Sequence, residues 1–274
     1  MSATQQQTVV EFRRPAGAIA PAATPQQRWE ARTQGAACAL CHLHTLCLPE
    51  GMAAPERADF TRMIARHRKI AAGGALFRAG DTCEHFYFVK TGAIKTVMLM
   101  DDGREQITGF HLPGDMLGMD GIDAGAHTTD AIALDDTRVC ALPAAPAART
   151  QAGGAALQAY VQRKLAREVV REQRLLLLLG RMTAEERVAA FLRDLAGRYA
   201  ERGQSPNEFT LPMAREDIGN YLGLTLETVS RCFSRLKHAG VLDVDNRHIR
   251  IRDAQRLLSG AGSYRQTSNG VVTH

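Results

Sequence analysis

The middle of the chain, from residue 70 to about residue 142, alternates short apolar stretches with glycine-containing turns. The stretch 85–89 reads His-Phe-Tyr-Phe-Val, and the stretch 94–98 reads Ile-Lys-Thr-Val-Met. Short strands at such regular spacing predict an all-β barrel or sandwich. A short helix is predicted before this region, over 55–68. The turns are marked by Gly80, Gly92, Gly103, Gly114 and Gly118.

A long helix is predicted after Pro143 and Pro146, over about 155–179, and it ends at Gly180. Along this helix, positions spaced alternately three and four residues apart form a seam of the coiled-coil type. The seam predicts dimerisation through the helix, and the alternative is that the stripe packs on the helix's own domain. The seam positions are Gln162, Leu165, Val169, Glu172, Leu176 and Leu179.

The last part of the chain is predicted to form a winged helix. Thr183 and Glu186 form a capping-box pattern that begins a helix. Two further helices are separated at Gly223, which allows a tight turn, and a strand pair follows around Asp245. A helix pair followed by a strand hairpin is typical of DNA-binding domains. The positions predicted to be buried in the helix pair are Ile218, Leu222, Val229, Phe233 and Leu236.

The second helix of this pair carries polar side chains opposite its buried stripe. Glu227, Ser230 and Arg231 lie early in the helix, where a recognition helix meets base edges. Arginine grips guanine O6 and N7, glutamate accepts from cytosine N4, and serine bonds to either kind of edge. Arg235 and Lys237 are better placed for phosphates, which fix position without reading sequence. We therefore expect double-stranded DNA as a partner.

The charge distribution agrees with a division into two functions. Residues 79–160 hold 5 Lys and Arg against 11 Asp and Glu, whereas residues 161–274 hold 19 against 13. An acidic middle and a basic end fit a sensing domain attached to a domain that binds a polyanion. No apolar run approaches the roughly 18 residues that span a bilayer. The N-terminus is polar, unlike a secretory signal, so we expect a cytoplasmic protein without a membrane partner.

Three of the six cysteines, Cys38, Cys41 and Cys47, lie within ten residues. In a reducing compartment this density favours metal ligation over disulfides. Zinc would use these thiols with His42 or His44, whereas an iron–sulfur cluster takes four thiolates, and spacing alone leaves both open. No nucleophile–base pair, Walker loop or dinucleotide fingerprint supports an enzyme. The remaining cysteines are Cys83, Cys140 and Cys232.

The segment 217–231 resembles the signature of the CRP/FNR superfamily of bacterial regulators, and its Glu-x-x-Ser-Arg triplet is typical of the FNR branch. The stretches 106–115 and 184–191 also match, so the resemblance covers roughly residues 38–258. It implies an α+β fold. The N-terminal β-roll sensor domain is of the cyclic-nucleotide-binding type, and a long dimerisation helix and a C-terminal winged helix-turn-helix domain follow it.

The same resemblance implies a global transcription regulator that senses oxygen and controls anaerobic metabolism genes, as an activator or a repressor. FNR-type proteins carry a Cys-x2-Cys-x5-Cys motif before the β-roll and a fourth cysteine at its end. This pattern assigns Cys38, Cys41, Cys47 and Cys140 to a [4Fe-4S] cluster, beside which Leu46 acts as a shield. A zinc- or ligand-responsive regulator without a cluster is the alternative.

Three partners follow from the resemblance. A homodimer is expected to bind an inverted repeat resembling TTGAT separated by four base pairs from ATCAA. The turn 101–104 is expected to contact RNA polymerase. Superfamily members that bind cyclic nucleotides carry an Arg-Ser pair where this chain has Ala-His-Thr-Thr-Asp at 126–130. Because the arginine is missing and Asp130 would repel a phosphate, cyclic AMP is not expected to bind.

The dimer seam suggests how the two ends communicate. In a parallel dimer Glu172 faces its own copy, and like charges there oppose pairing; an ion pair with Arg171 or Arg174 is the alternative. Our hypothesis is that a cluster joining the cysteine loop to Cys140 shifts the helix to a packing that tolerates Glu172. The dimer then forms only while the oxygen-labile cluster is intact.

These expectations divide the chain into six parts. They are a disordered segment (1–37), the cysteine loop (38–47), the β-roll (48–154), the dimerisation helix (155–180), the DNA-binding domain (181–260) and a flexible tail (261–274).

Overall fold

The computed structural model describes residues 38, 41–48, 53–64, 66–144 and 154–260. Within these residues the chain forms a β-roll, a long helix and a helical domain with a small sheet, so the predicted α+β architecture is confirmed. The predicted disordered segment and flexible tail lie outside the described residues. None of the described helices is both long enough and apolar enough to cross a membrane.

The N-terminal domain is built mainly from antiparallel strands. Its helices are α1 (His44–Cys47) and α2 (Ala54–Met63). Its strands are β1 (Arg66–Ile70), β2 (Ala75–Phe77), β3 (His85–Thr91), β4 (Ile94–Leu99), β5 (Glu105–His111), β6 (Met116–Leu117), β7 (Asp130–Ala133) and β8 (Thr137–Pro143). They form two four-stranded sheets with the orders β1-β8-β3-β6 and β2-β7-β4-β5.

The helix predicted over 55–68 is wrong at its C-terminal end. Helix α2 stops at Met63, and 66–70 is a strand that pairs antiparallel with 137–141 of β8. A short polar stretch such as Arg-His-Arg-Lys-Ile gives no clear period of its own. Its partner, which comes much later in the chain, decides its conformation.

Strands β3 and β8 alternate between two faces, as strand geometry requires. Their residues Tyr87, Val89, Val139 and Ala141 pack in the core between the sheets. The intervening residues belong to a second cluster outside the roll, which also includes Phe60 of α2. Cys140 lies on this outer face in the middle of β8, the last strand of the roll. The outer-face residues of the two strands are Phe86, Phe88, Cys140 and Leu142.

The C-terminal half contains most of the helix. Its helices are α3 (Gly154–Arg181), α4 (Ala184–Glu201), α5 (Arg215–Leu222), α6 (Leu226–His238) and α7 (Ala254–Gly260). Strands β9 (Glu208–Thr210), β10 (Leu242–Asp245) and β11 (His248–Ile251) form a sheet in the order β10-β11-β9. The capping box predicted at the start of α4 is present, because Glu186 accepts from the Thr183 amide at 2.8 Å. The helix pair with its strand wing is therefore confirmed.

The β-roll and the helical domain share one hydrophobic core. Ala93, Val97 and Ile107 of the roll belong to the same buried cluster as the apolar faces of α4, α5 and α6. An aromatic trio crosses the boundary: the ring of Phe110 lies 6.0 Å from that of Phe191 and 5.2 Å from that of Tyr221. The β-roll and the helical domain therefore pack against each other through an apolar interface.

Candidate functional site

The turn between α5 and α6 has the geometry of a helix-turn-helix. Gly223 ends α5 with a φ of 63°, a conformation that favours glycine. Gly219 is also required, because a Cβ there would lie 2.6 Å from the Leu224 carbonyl oxygen. The Thr225 hydroxyl then accepts from the Thr228 amide at 3.2 Å and caps α6, as predicted.

Helix α6 has one fully buried face and one exposed face. Val229, Cys232, Phe233 and Leu236 are at most 5% exposed and fix the helix on the domain core. The predicted base-reading residues Glu227 and Arg231 are exposed on the opposite side, and Ser230 is half-buried beside them. Arg231 donates to the Glu227 carboxylate one turn earlier, with 70% and 73% of these side chains exposed. Both are therefore held on the surface and open to a ligand.

The two predicted phosphate-binding residues are engaged within their own domain. Arg235 Nε lies 3.0 Å from the Glu185 carboxylate. Lys237 Nζ donates to the Val244 carbonyl in β10 at 3.2 Å, which ties α6 to the wing. Both side chains are exposed.

Two further residues lie on the exposed face of α6 and were not singled out from the sequence. Ser234 and His238 are exposed and continue the line of Glu227 and Arg231 at helical spacings of three and four. That spacing was the available signal, but Ser and His are common surface residues and did not stand out.

The four predicted cysteine ligands lie around one side of the β-roll. Cys38, Cys47 and Cys140 are half-buried against the outer cluster that contains Phe60 and Tyr160. Cys41 is also half-buried and interacts electrostatically with the other three thiols. The structure thus gathers at one place thiols that are separated by about a hundred residues in the sequence.

Burial governs the protonation of these thiols. It raises the pKa of Cys47 to about 12, with the neighbouring Cys140 adding to the effect. It likewise raises the pKa of Cys140 to about 12, with a further contribution from Cys38. Both thiols are therefore protonated at neutral pH in the metal-free protein, and a metal centre bound there would displace protons.

Four cysteine thiols are a donor set that a [4Fe-4S] cluster takes. Among the described residues no three His, Cys, Asp or Glu side chains converge closely enough to hold one metal ion. His42 and His44 are exposed, and His44 Nδ1 lies 3.0 Å from the Cys41 carbonyl oxygen.

Leu46 connects the cysteine loop with two other elements. Its carbonyl accepts from the Tyr160 hydroxyl at 3.2 Å and from Lys164 Nζ at 3.3 Å, both on α3. Its side chain covers Gly114, where a Cβ would lie only 2.8 Å from the leucine. The loop is thereby attached to both the first turns of α3 and the turn after β5.

The predicted dimer seam follows one side of α3. Val169 is 51% exposed and Leu176 69% exposed, while Leu165 and Leu179 are half-buried. Leu165, Val169 and Glu172 also line a groove between α3 and the β-roll. Of the four apolar side chains of the seam, Val169 and Leu176 are therefore the two that are exposed.

Glu172 itself is exposed on that seam. Of the two arginines suggested as its partners, Arg171 pairs with Glu168 at 2.8 Å instead. None of the ion pairs found among the described residues involves Glu172. This placement suits a residue that meets its own copy in a dimer.

The region where a cyclic phosphate would be gripped holds carboxylates with partners of their own. Asp130 accepts from Arg78 at 2.6 Å and from the Ala79 amide at 2.7 Å. Asp120 accepts from the Thr129 hydroxyl and lies 3.0 Å from His127 Nδ1.

Two domain families match the chain. The cyclic nucleotide-binding domain matches residues 67–149, and the Crp-like helix-turn-helix domain matches residues 186–259. This combination defines a DNA-binding transcription regulator of the CRP/FNR type and not an enzyme.

Relatives along most of the chain identify the branch. The chain is 38% identical over 248 residues to the fumarate and nitrate reduction regulatory protein of Salmonella typhimurium, which spans 89% of this chain and 99% of the relative. It is 40% identical over 225 residues to the transcriptional activator protein FnrA of Stutzerimonas stutzeri, over 82% and 92% of the two chains. The chain therefore belongs to the FNR family of transcription regulators.

A solved structure agrees with this placement. FixK2 from Bradyrhizobium japonicum superposes with a TM-score of 0.66 at 36% identity, over 73% of this chain and 98% of that chain. A CRP-family transcriptional regulator from Thermus thermophilus, 24% identical with a TM-score of 0.58, shares the fold.

Proposed function

We propose that this protein is an oxygen-responsive transcription regulator whose DNA binding depends on a [4Fe-4S] cluster held by Cys38, Cys41, Cys47 and Cys140. The observation that carries the proposal is the gathering of these four thiols on the outer face of the β-roll, beside the first turns of α3. When bound, such a cluster supplies a centre that oxygen destroys, and anaerobic metabolism genes are the proposed targets.

The cysteine loop is proposed to control the dimer helix through Leu46. Tyr160 and Lys164 donate to the Leu46 carbonyl, so the position of the loop sets the position of the first turns of α3. Burial lowers the pKa of the Lys164 amine. The Leu46 carbonyl supplies a hydrogen-bond acceptor to this partly desolvated amine, and losing that acceptor would leave the amine unsatisfied. A loop that leaves this place removes both contacts and loosens the helix.

Dimerisation is proposed to occur through Leu165, Val169, Glu172, Leu176 and Leu179. Leu176 is the most exposed apolar side chain found on the described part of α3. Burying a leucine stabilises an interface by about 2 kcal/mol. The two Glu172 side chains oppose the same interface, so the dimer is poised to respond to small shifts of the helix.

DNA reading is proposed to use Glu227, Ser230 and Arg231 for bases and Arg235 and Lys237 for phosphates. In a dimer the two α6 helices enter major grooves about one helical turn, roughly 34 Å, apart. The proposed site is an inverted repeat resembling TTGAT separated by four base pairs from ATCAA.

RNA polymerase is proposed to contact the turn 101–104. The turn is exposed, and Arg104 pairs with Asp102 at 2.8 Å, which holds it in one shape. Cyclic AMP is proposed not to act on this protein, because Asp130 already engages Arg78 where a phosphate would need a cation.

The cofactor proposal is tested on protein purified without oxygen. We expect a straw-brown protein with about four iron and four sulfide per chain. A colourless protein with stoichiometric zinc would instead support a zinc-responsive regulator that uses Cys38, Cys41 and Cys47 with a histidine. In that case the exposed His42 is the proposed local histidine ligand.

A further inference from the structure

Two arginines of α4 and its C-terminal end converge on one turn of the β-roll. Arg202 donates to the Pro113 carbonyl at 2.6 Å and to the Asp115 carboxylate at 2.7 Å. Arg198 donates to the other carboxylate oxygen of Asp115 and to the Phe110 carbonyl, the latter at 2.7 Å. The side chains of Arg198, Arg202 and Asp115 are 10%, 5% and 15% exposed. This buried group, which we call the Asp115 clamp, joins the two domains.

The charges of the clamp are mutually dependent. Burial alone would raise the pKa of Asp115, but Arg198 and Arg202 outweigh it and hold the pKa well below its usual range. Asp115 is therefore ionised at neutral pH. Removing its charge would leave the buried Arg202 without a counter-ion and Arg198 with only the partly exposed Asp194 at 3.8 Å, which is unfavourable.

A second polar contact lies on the other side of the shared core, between α5 and the β4–β5 hairpin. Lys95 Nζ lies 2.6 Å from the Asp217 carboxylate. Asn220 accepts from the Ile107 amide at 2.6 Å and donates to the Glu105 carbonyl at 2.9 Å. These bonds hold the first helix of the helix-turn-helix against the roll, and the Ile107 amide reports directly on whether they are made.

These contacts bear on DNA reading because the covalent connection alone does not fix the domain. Only Met182 and Thr183 separate α3 from α4. A dimer fixes the two α3 helices, but each recognition helix must also be held at a set angle to reach successive major grooves. If the winged-helix domain can rotate about this link, DNA binding must fix it and costs conformational entropy. A domain that is already held against the β-roll loses less entropy on binding and therefore binds more tightly.

We infer that Asp115 is a positioning residue for DNA reading: it holds the winged helix on the β-roll in the orientation that the dimer uses on DNA. The inference rests on the proposed function as a dimeric DNA reader. The turn that carries Asp115 also carries Gly114, on which Leu46 of the cysteine loop sits. The loop therefore touches the residue next to the clamp.

The test compares Asp115→Asn, which removes the charge and keeps the shape, with Asp194→Asn as a matched control. Asp194 faces the same Arg198 at 3.8 Å but is 47% exposed, so its loss leaves the clamp intact. Both full-length variants are purified without oxygen and titrated with a fluorescent duplex that carries the inverted repeat. Sedimentation measures the dimer, and hydrogen exchange follows the segment that contains the Ile107 amide.

For Asp115→Asn we expect DNA affinity to fall on the order of tenfold, with unchanged sedimentation and colour and with faster exchange at Ile107. Asp194→Asn should behave as the unchanged protein. Equal affinity of Asp115→Asn and the unchanged protein would overturn the inference, even if its melting temperature falls, because a purely structural role lowers stability and not the affinity of the folded dimer.

Two further outcomes remain informative. If Asp115→Asn does not fold, Asn220→Ala replaces it, since Asn220 is half-buried and contributes only to the second contact; unchanged DNA affinity of that dimeric variant would contradict a role of this docking in DNA reading. If the unchanged protein binds no duplex, the proposed function fails instead, and the exchange comparison still tests whether Asp115 holds the domain.

Discussion

At the scale of single residues, the sequence predicts which side chains read DNA, and the structure adds the surroundings of those side chains. Glu227 and Arg231 are paired on the open surface of α6, whereas Lys237 is tied to the wing. We therefore expect the two cations to have different roles on DNA, which substitution should separate.

Replacing Arg231 by Ala should cost about 1–3 kcal/mol of DNA affinity and relax the preference for the base pair that it reads. Lys237→Ala serves as the matched comparison. Lys237→Ala should weaken binding to all duplexes about equally. It should also reduce the slope of log affinity against log salt concentration by about one, as expected for the loss of one phosphate contact. Titrations of matched and mismatched duplexes at several salt concentrations measure both effects. Equal loss on every duplex for Arg231→Ala would contradict base reading by this residue.

Cys140 and Cys83 make a second comparison, because both are half-buried and pack against the same outer cluster. Cys83 donates to the Gly118 carbonyl and is not a proposed ligand. Protein carrying Cys140→Ala should be nearly free of iron after anaerobic purification, whereas Cys83→Ala should keep its full iron content. Iron retained in Cys140→Ala would remove that residue from the ligand set.

At the scale of elements, the proposed dimer helix α3 carries Glu172, whose charge is expected to oppose dimerisation. Glu172→Ala should increase the dimer fraction in air, because it removes like charges from the seam and exposes more apolar surface to it. Glu168→Ala is the control, since Glu168 pairs with Arg171 and lies outside the seam spacing. Sedimentation of air-exposed protein gives the answer, and no gain of dimer for Glu172→Ala would exclude it from the mechanism.

The joint between α3 and the winged helix depends on Arg187. Its guanidinium donates to the carbonyls of Leu179, Met182 and Leu222 at 2.8 to 3.0 Å, joining the end of the dimer helix to the turn of the helix-turn-helix. A lysine at position 187 cannot donate to all three carbonyls as the planar guanidinium group does. Arg187→Lys should therefore lower the free energy of unfolding by about 1–3 kcal/mol. Denaturant unfolding measures this, with Arg181→Lys as the exposed control; equal stability of both variants would contradict the role.

Elements with a strong local signal were predictable from sequence. The capping box at Thr183, the turn at Gly223 and the strand wing are encoded by a few neighbouring residues, and the structure has all three. Strand β1 was missed because its conformation depends on pairing with β8, far along the chain. The exposed α6 residues Ser234 and His238 were not singled out from the sequence, because Ser and His are common on protein surfaces.

At the scale of the whole molecule, sequence reasoning separated a sensor from a reader but did not foresee that they share a core. Phe110, Phe191 and Tyr221 each look like ordinary core residues of their own segments. The sequence also gives no sign that Asp115 pairs with Arg198 and Arg202. These residues lie more than 80 positions apart and are brought together only by the tertiary fold. The gathering of the cysteines was inferred from family resemblance for the same reason.

The Asp115 clamp predicts a pH dependence at this scale. The pKa of Asp115 in the folded protein lies well below its value of about 3.9 in the unfolded chain. The stability that Asp115 contributes is therefore complete above about pH 3.9 and is lost progressively as the pH falls below about 3.9. The difference in melting temperature between the unchanged protein and Asp115→Asn should therefore be full at pH 7 and shrink below about pH 4. A difference that is the same at pH 7 and pH 3 would contradict this assignment.

The central claim is that reading by α6 is conditional on the state of the cysteines at the other end of the chain. The most direct measurement titrates one anaerobic sample with the inverted-repeat duplex, before and after exposure to air, while its visible absorbance is recorded. The account predicts tight binding by brown protein and loss of binding together with the colour. Binding that stays equally tight after the colour is lost would contradict it.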